Sequence, residues 1–258
     1  MRFGVCTGLE NLSLLERLGY DYIELSVTAT MKHSEEELEQ YRRELKSSKV
    51  KCEAFNILFP KSMDLIGGGT SDEELLEYLH RAMALIQSFG AKVAVFGSGK
   101  CRRCPEHMTY EEAYRRLVKV FRMTGGVAAQ YGITIVVEPL SRKETNMVCT
   151  MAEGAMLVCD VDRVNVGLLA DYFHVMANAD CIEDIRAIKK LRHIHIASGN
   201  GRRYPLSEEN ESYFSFIKTL KEVGYDGRVS IEGKTEDMET DGARALKLLR
   251  ELEARADG

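Results

Sequence analysis

Four predicted strands of the sequence end on side chains that can bind a metal or move a proton. The run ITIVVE ends on Glu138 and is followed by Pro139, which cannot donate a hydrogen bond to a neighbouring strand. Later runs end near Asp171, at His195 within HIHIA, and at Glu232 within RVSIE. Crowded carboxylates repel one another unless a cation neutralises them, so the four residues indicate a metal site.

The alternation of side chains along a strand predicts which of these groups face inward. In HIHI both histidines share one face and both isoleucines share the other, so both imidazoles are expected to face the interior. His195 lies nearer the carboxyl end and is the better ligand, whereas His193 is interpreted as a buried core histidine. Glu138 and Glu232 fall on inward faces by the same rule. Three carboxylates and one imidazole suit Mn²⁺, Mg²⁺ or Co²⁺, and such a mixed set can also hold Zn²⁺.

These strand ends belong to a regular alternation of strands and helices. Runs rich in β-branched residues predict eight strands, at 2–6, 22–26, 51–58, 92–97, 133–138, 164–169, 193–197 and 228–232. Helical periodicity predicts eight helices between and after them, near 11–18, 34–47, 71–90, 109–132, 150–159, 180–188, 209–223 and 239–255. Ser34 and Ser71 each have a glutamate three residues on, which is typical of a capping box.

Eight such units favour one closed (β/α)8 TIM barrel, an α/β fold that forms a single domain over residues 1–258. The active site of such a barrel lies at the carboxyl ends of its strands. A doubly wound open sheet is the alternative. It is disfavoured because no G-x-G-x-x-G follows the first strand, where GVCTGLE stands instead.

Composition limits the partners of the chain. A net charge of −5 argues against nucleic acid, and no run approaches the roughly 18 apolar residues of a membrane span. Seven cysteines without framework spacing, and a start that lacks a signal-peptide core, predict a cytoplasmic protein. Cys101 and Cys104 form a lone C-x-x-C, which we interpret as loop thiols rather than a zinc or redox pair.

The chain resembles the xylose-isomerase-like barrels, specifically the sugar phosphate isomerase/epimerase group with ketose 3-epimerases and hydroxypyruvate isomerases. The resemblance covers nearly the whole chain and is carried by VFGSGKCRRCPE (95–106), VVEPLSRKET (136–145), LADYFHV (169–175), HIHIAS (193–198) and SIEGK (230–234). It implies one divalent metal ion, Mn²⁺ ahead of Mg²⁺, Co²⁺ or Zn²⁺, with the ligands Glu138, Asp171, His195 and Glu232. It also implies that Glu144, which follows the fifth strand, binds a small sugar together with His174 and Arg202.

The resemblance implies an isomerase that removes a proton from a carbon next to a carbonyl group, through an enediolate, with Glu138 and Glu232 as the acid and base. Return of the proton to the other face gives epimerisation, and its return to the next carbon gives aldose–ketose isomerisation. Elimination from a keto-sugar glycoside is an alternative with the same site. Family members that pair also lead us to expect a homo-oligomer.

Two rival functions fit the residues less well. An abasic-site endonuclease with the same barrel needs a multi-zinc cluster with further histidines after strands 2 to 4, and the runs AFNILFP and VAVFGSGK carry none. A sugar-binding barrel without catalysis would be expected to lose one of the four ligands, and none is lost.

Overall fold

The computed structural model describes residues 1–257, whose eight strands form a closed parallel barrel in chain order. The strands are β1 Arg2–Cys6, β2 Tyr22–Ser26, β3 Lys51–Asn56, β4 Val93–Phe96, β5 Thr134–Val137, β6 Val166–Asp171, β7 Leu191–Ile196 and β8 Arg228–Ile231. The predicted TIM barrel is confirmed. Its register places Asp171 beside His195 and His195 beside Ser230, so the ends of β6, β7 and β8 meet at one rim.

Nine α-helices of the described residues surround the barrel. They are α1 Leu12–Leu18, α2 Val27–Thr30, α3 Glu35–Ser47, α4 Asp72–Ser88, α5 Tyr110–Gln130, α6 Met151–Val161, α7 Tyr172–Ala177, α8 Tyr213–Glu222 and α9 Met238–Ala256. The capping boxes predicted at Ser34 and Ser71 are present, and each serine side chain accepts a hydrogen bond from a backbone N–H three residues on. Within residues 1–257, every helix is too short or too polar to cross a membrane.

The segment between β6 and β7 differs from the prediction of one helix at 180–188. The chain there forms a 3-10 helix, Ile182–Ala187, and the α-helix of this unit is α7, which begins directly at the end of β6. Asp171 is its N-cap, because the carboxylate accepts a hydrogen bond from the backbone N–H of Phe173 at 2.9 Å. This early start brings His174 to the rim of the barrel.

The barrel interior is apolar on one side and polar on the other. Strands β3 to β6 contribute a small apolar cluster of Ala54, Val93, Val95, Val136 and Leu169. Strands β2, β7 and β8 instead contribute the fully buried polar side chains of Glu24, His193, His195 and Ser230. Because buried polar groups are costly unless they are paired, the polar half of the barrel is where a specific arrangement of side chains is required.

Candidate metal centre

The four predicted ligands meet at the carboxyl end of the barrel. One ligand atom each of Glu138, Asp171, His195 and Glu232 lies within 4.8 Å of the others. Nδ1 of His195 is 3.4 Å from Oε1 of Glu138 and 3.4 Å from Oε2 of Glu232. The four side chains come from the ends of four successive strands, β5 to β8, so the closure of the barrel brings them together.

Unpartnered atoms indicate that this cluster fits a cation. Oε1 of Glu138 and Nδ1 of His195 are buried and have no hydrogen-bond partner among the described residues. A buried polar atom without a partner costs about 1–3 kcal/mol. Carboxylate oxygen and imidazole nitrogen are suitable ligands for Mn²⁺ and Zn²⁺. The donor set therefore fits a divalent cation.

The two glutamates of the cluster have pKa values displaced in opposite directions. Burial raises the pKa of Glu138, and the neighbouring charge of Glu232 raises it further. Burial also acts to raise the pKa of Glu232, but the charges of His195 and Arg202 outweigh it and lower this pKa to about 2. Burial raises the pKa of Asp171 to about 7, against the opposing charge of Arg202. A pair of carboxyl groups with separated pKa values can divide the roles of acid and base.

Glu24, in the middle of β2, is a site residue that the sequence interpretation missed. Its side chain is fully buried, and Oε1 lies 3.0 Å from Nε2 of His195 while Oε2 lies 2.7 Å from Nε2 of His193. Burial acts to raise the pKa of Glu24, but the two histidines hold it well below its usual range. The ionised carboxylate only accepts hydrogen bonds, so His195 donates from Nε2 and turns Nδ1 toward Glu138 and Glu232. The feature of the sequence that could have identified Glu24 is that it is the single charged residue in the otherwise apolar run YIEL.

His193 is a partnered core histidine, which agrees with its sequence interpretation. The imidazole is fully buried and its Nε2 is bonded to Glu24. The rings of His193 and His195 lie edge to face with their centroids 5.0 Å apart. Both rings therefore face the barrel interior, and the carboxylate of Glu24 accepts a hydrogen bond from each of them.

The three residues expected to bind a sugar lie beside the four ligands. The guanidinium of Arg202 contacts the carboxylate of Glu232 and lies 3.4 Å from Oδ2 of Asp171 and 3.5 Å from Oε1 of Glu144. Nδ1 of His174 accepts a hydrogen bond from a backbone N–H at 3.0 Å, while Nε2 lies 3.5 Å from Oδ2 of Asp171. Burial, together with the charge of Arg202, lowers the pKa of His174 to about 3. The neutral ring thus carries its proton on Nε2, where it can be donated.

Three further residues lie against Glu232 or Glu138, and the sequence interpretation assigned none of them. Asn56 at the end of β3 donates from Nδ2 to Oε1 of Glu232 at 3.0 Å. The fully buried Arg102 donates to the backbone carbonyl of Glu138 at 2.5 Å. Gly97, directly after β4, has no Cβ, and a Cβ there would overlap Oε2 of Glu138. An alanine at this position would therefore force the Glu138 carboxylate to shift.

Two cavities open onto the cluster. The larger, of about 910 Å³, is lined from the loops after β3, β4, β5, β7 and β8 and includes Glu138 and Glu232. The smaller, of about 430 Å³, lies over the ends of β1, β2 and β3. Cys6, Ile57 and Glu232 line both, so the cavities meet at the cluster. A ligand in either one reaches Glu232.

Among residues 1–257, neither Cys101, which lines the larger cavity, nor Cys104 belongs to a group of side chains that could hold a metal. The thiol of Cys101 donates to the carbonyl of Pro60 at 3.1 Å, and that of Cys104 to the carbonyl of Met108 at 3.4 Å. Both are free, as expected for loop thiols. Within the described residues, His195 is the one histidine in the side-chain groups that could hold a metal, so no cluster of several histidines is present there.

Comparisons with known proteins place the chain among sugar enzymes. The family described as xylose isomerase-like TIM barrel matches residues 12–252. The L-ribulose 3-epimerase of Methylomonas sp. (strain DH-1) is 26% identical over 227 residues, which cover 84% of this chain and 74% of that protein. The D-psicose 3-epimerase of Agrobacterium fabrum is 32% identical over 146 residues, which cover 56% of this chain and 50% of that protein. Other relatives are named inosose isomerases.

The fold is also that of solved structures. The crystal structure of the IOLI protein with a bound zinc atom has a TM-score of 0.74 and 24% identity. The superposition covers 99% of this chain and 98% of that one. At this level of identity the likeness shows the shared barrel.

Proposed function

Because the chain belongs to the xylose isomerase-like TIM barrel family, we propose that it is a divalent-metal-dependent sugar epimerase or isomerase. It would remove and return a proton on a carbon next to the carbonyl group of a ketose or a related small sugar. The observation that carries this proposal is the convergence of Glu138, Asp171, His195 and Glu232, with unpartnered buried atoms, where the two cavities meet.

Glu138, Asp171, His195 and Glu232 would hold the cation. When bound, the cation supplies positive charge that stabilises the negative charge developing on the sugar oxygens as the neighbouring carbon loses its proton. Mn²⁺ is the ion we expect, with Mg²⁺, Co²⁺ and Zn²⁺ as alternatives, because the set offers three carboxylates and no thiolate.

Glu232 and Glu138 have the placement and the charge that proton transfer requires. Both carboxylates lie 3.4 Å from the same imidazole nitrogen, so one sugar carbon beside them is within reach of both. Glu232 would take the proton from carbon as the base, and Glu138 would return a proton as the acid.

The remaining polar side chains would orient the sugar. His174 can donate from Nε2, Arg202 can donate from its guanidinium, and the half-exposed carboxylate of Glu144 can accept from a hydroxyl. Holding the reacting carbon at the correct distance and orientation relative to a catalytic group is itself a large part of catalysis. The relatives that are named epimerases and isomerases of sugars support this reaction class.

The proposal is tested by exchange of a sugar proton with solvent. Protein loaded with Mn²⁺ is mixed with a ketose in D₂O, and deuterium incorporation at carbon is followed by NMR. Glu232→Gln and Glu138→Gln each remove one basic oxygen pair, and we expect each to slow exchange by about 10²–10⁴-fold. The control is Glu77→Gln, which neutralises an exposed carboxylate on α4.

Absence of proton exchange by the Mn²⁺-loaded parent with every ketose tested would overturn the proposal, whereas the two variants test only the roles of their carboxylates. If Glu232→Gln and Glu138→Gln bind the cation and exchange the proton as fast as the parent, neither carboxylate moves the proton. Glu144 would then be the next candidate, because it lines the same cavity.

A further inference from the structure

The larger cavity differs in charge from the rest of the protein. Its lining includes six basic residues, Lys61, Lys100, Arg103, Lys143, Arg202 and Lys234, and three acidic ones, Glu138, Glu144 and Glu232. The whole chain has 35 basic and 40 acidic residues and a net charge of −5. Basic residues therefore outnumber acidic ones in the lining of the larger cavity, although the whole chain is acidic. Such an excess of positive charge favours the binding of an anion.

Most of these cations have no internal counter-charge. Arg202 is paired, because its guanidinium contacts Glu232 and lies within 4.0 Å of Asp171 and Glu144. None of the other five basic side chains has a carboxylate of residues 1–257 within 4.0 Å, and all five are exposed. Like charges around one cavity repel each other, and a ligand that brings negative charge relieves this cost.

The cations come from loops far apart in the chain. Lys61 follows β3, Lys100 and Arg103 follow β4, Lys143 follows β5 and Lys234 follows β8. Glu138 and Glu232 line the same cavity, so a ligand that fills it reaches both the cations and the carboxylates of the cluster. The smaller cavity shows no such excess, since its acidic residues are Glu10 and Glu232 and it contains no lysine or arginine.

We propose that the substrate is a sugar with an ionised acidic substituent, a phosphate or a carboxylate, which lies in the larger cavity against Lys61, Lys100 and Lys143. This inference rests on the proposed function, because it places the reacting carbon at Glu138 and Glu232. The volume of about 910 Å³ lies near the upper end of the range of roughly 300–1,000 Å³ typical of pockets for drug-sized ligands, so a substituent fits beside the sugar. The sugars named for the relatives, L-ribulose and D-psicose, carry no ionised group.

The test compares the binding of charged and uncharged sugars. Isothermal titration calorimetry of the Mn²⁺-loaded protein uses a ketohexose, its 6-phosphate ester and a ketose that ends in a carboxylate. We expect at least one charged ligand to bind about tenfold more tightly than the neutral ketose, since several exposed charge pairs together contribute a factor of this size. The charged ligand that binds more tightly than the neutral ketose shows whether the substituent is a phosphate or a carboxylate.

Lysine variants separate binding by the cavity from binding by the cation. The triple variant Lys61→Gln/Lys100→Gln/Lys143→Gln is expected to lose the tenfold preference and to bind the neutral ketose as the parent does. The matched control, Lys46→Gln/Lys92→Gln/Lys218→Gln, removes three exposed charges that do not line this cavity and should keep the preference. If the preference survives both triple variants, the cation alone holds the charged substituent and the inference is wrong.

The results also distinguish this inference from the proposed function. If the neutral ketose binds as tightly as both charged ligands, or if the control triple variant loses as much preference as the cavity variant, the inference is wrong. In that case exchange of the ketose proton would still support the proposed function. If the charged ligand binds through the three lysines but no sugar exchanges its proton, the inference stands and the proposed function fails.

Discussion

Oε1 of Glu24 lies 3.0 Å from Nε2 of His195, although the two residues are 171 positions apart in the chain. The contact spans the interior of the barrel from β2 to β7 and leaves Nδ1 of His195 facing Glu138 and Glu232. A carboxylate that accepts from the distal nitrogen of a ligating histidine fixes its tautomer and its orientation. Glu24 therefore holds a predicted ligand in the form that binds a cation, without lying among the ligands itself.

Replacement of Glu24 by glutamine tests this positioning role. The amide keeps the shape of the side chain but can no longer accept from both histidines as an anion, so we expect metal affinity to fall by about 10–100-fold. Titration calorimetry measures the affinity, and ¹⁵N NMR of the imidazoles reports which nitrogen of His195 carries the proton. If Glu24→Gln binds the metal as tightly as the parent and His195 keeps its tautomer, the contact between Glu24 and His195 does not position the ligand and has a structural role only. Glu77→Gln serves again as the control.

Gly97→Ala is expected to disturb the cluster through Glu138. A Cβ at this position overlaps Oε2 of the glutamate, so the carboxylate must move away from its place beside His195. We expect weaker metal binding and slower proton exchange, because a small displacement of a catalytic group is costly. The control is Gly126→Ala in α5, where the new Cβ would meet only the movable end of the Arg163 side chain. Equal metal affinity for both variants would argue against crowding at Glu138.

Metal affinity should rise with pH. Burial raises the pKa of Asp171 to about 7, and although burial acts to lower the pKa of His195, the charges of Glu24 and Glu232 hold it well above its usual value. Both groups thus carry protons in the cation-free protein below these pKa values, and they must lose them to bind a cation. We expect tighter binding at about pH 8 than at about pH 6, with release of protons. Calorimetry in buffers of different ionisation enthalpy measures the proton count, and an affinity independent of pH would contradict the prediction.

Removal of the metal should lower the thermal stability of the protein. A ligand that binds the folded state alone stabilises it by about 2.7 kcal/mol at a free concentration of 100 times its dissociation constant. We expect Mn²⁺ to raise the melting temperature of the parent and a chelator to reverse the rise, as measured by calorimetry. Asp171→Asn and His195→Asn should each reduce this response. A rise of the same size in both variants would locate the cation elsewhere.

The helix after β6 shows where sequence periodicity was insufficient. Residues 180–188 were predicted to be the helix of this unit, but the α-helix is α7 and starts where β6 ends. The carboxylate of Asp171 caps α7 while it also lies in the metal cluster. A periodicity argument needs more than the six residues of α7, so the helix that positions His174 was not detected.

The sequence by itself determined the barrel and the residues that stand at its rim. Strand and helix periods alternate eight times, and parallel strands in a closed barrel end at one rim, so Glu138, Asp171, His195 and Glu232 could be placed together without coordinates. Alternation also predicted that His193 and His195 face inward. These features depend on local order along each strand, which the sequence carries directly.

Only the tertiary structure decided which inward side chains meet across the interior. Alternation assigns Glu24 a face of β2, but its contact with His195 depends on the tilt and register of the strands after closure of the barrel. The same holds for Asn56 against Glu232 and for the lysines that surround the larger cavity, which come from loops after four different strands. Such contacts join residues that are distant in the chain, and their geometry is fixed by packing rather than by any local pattern.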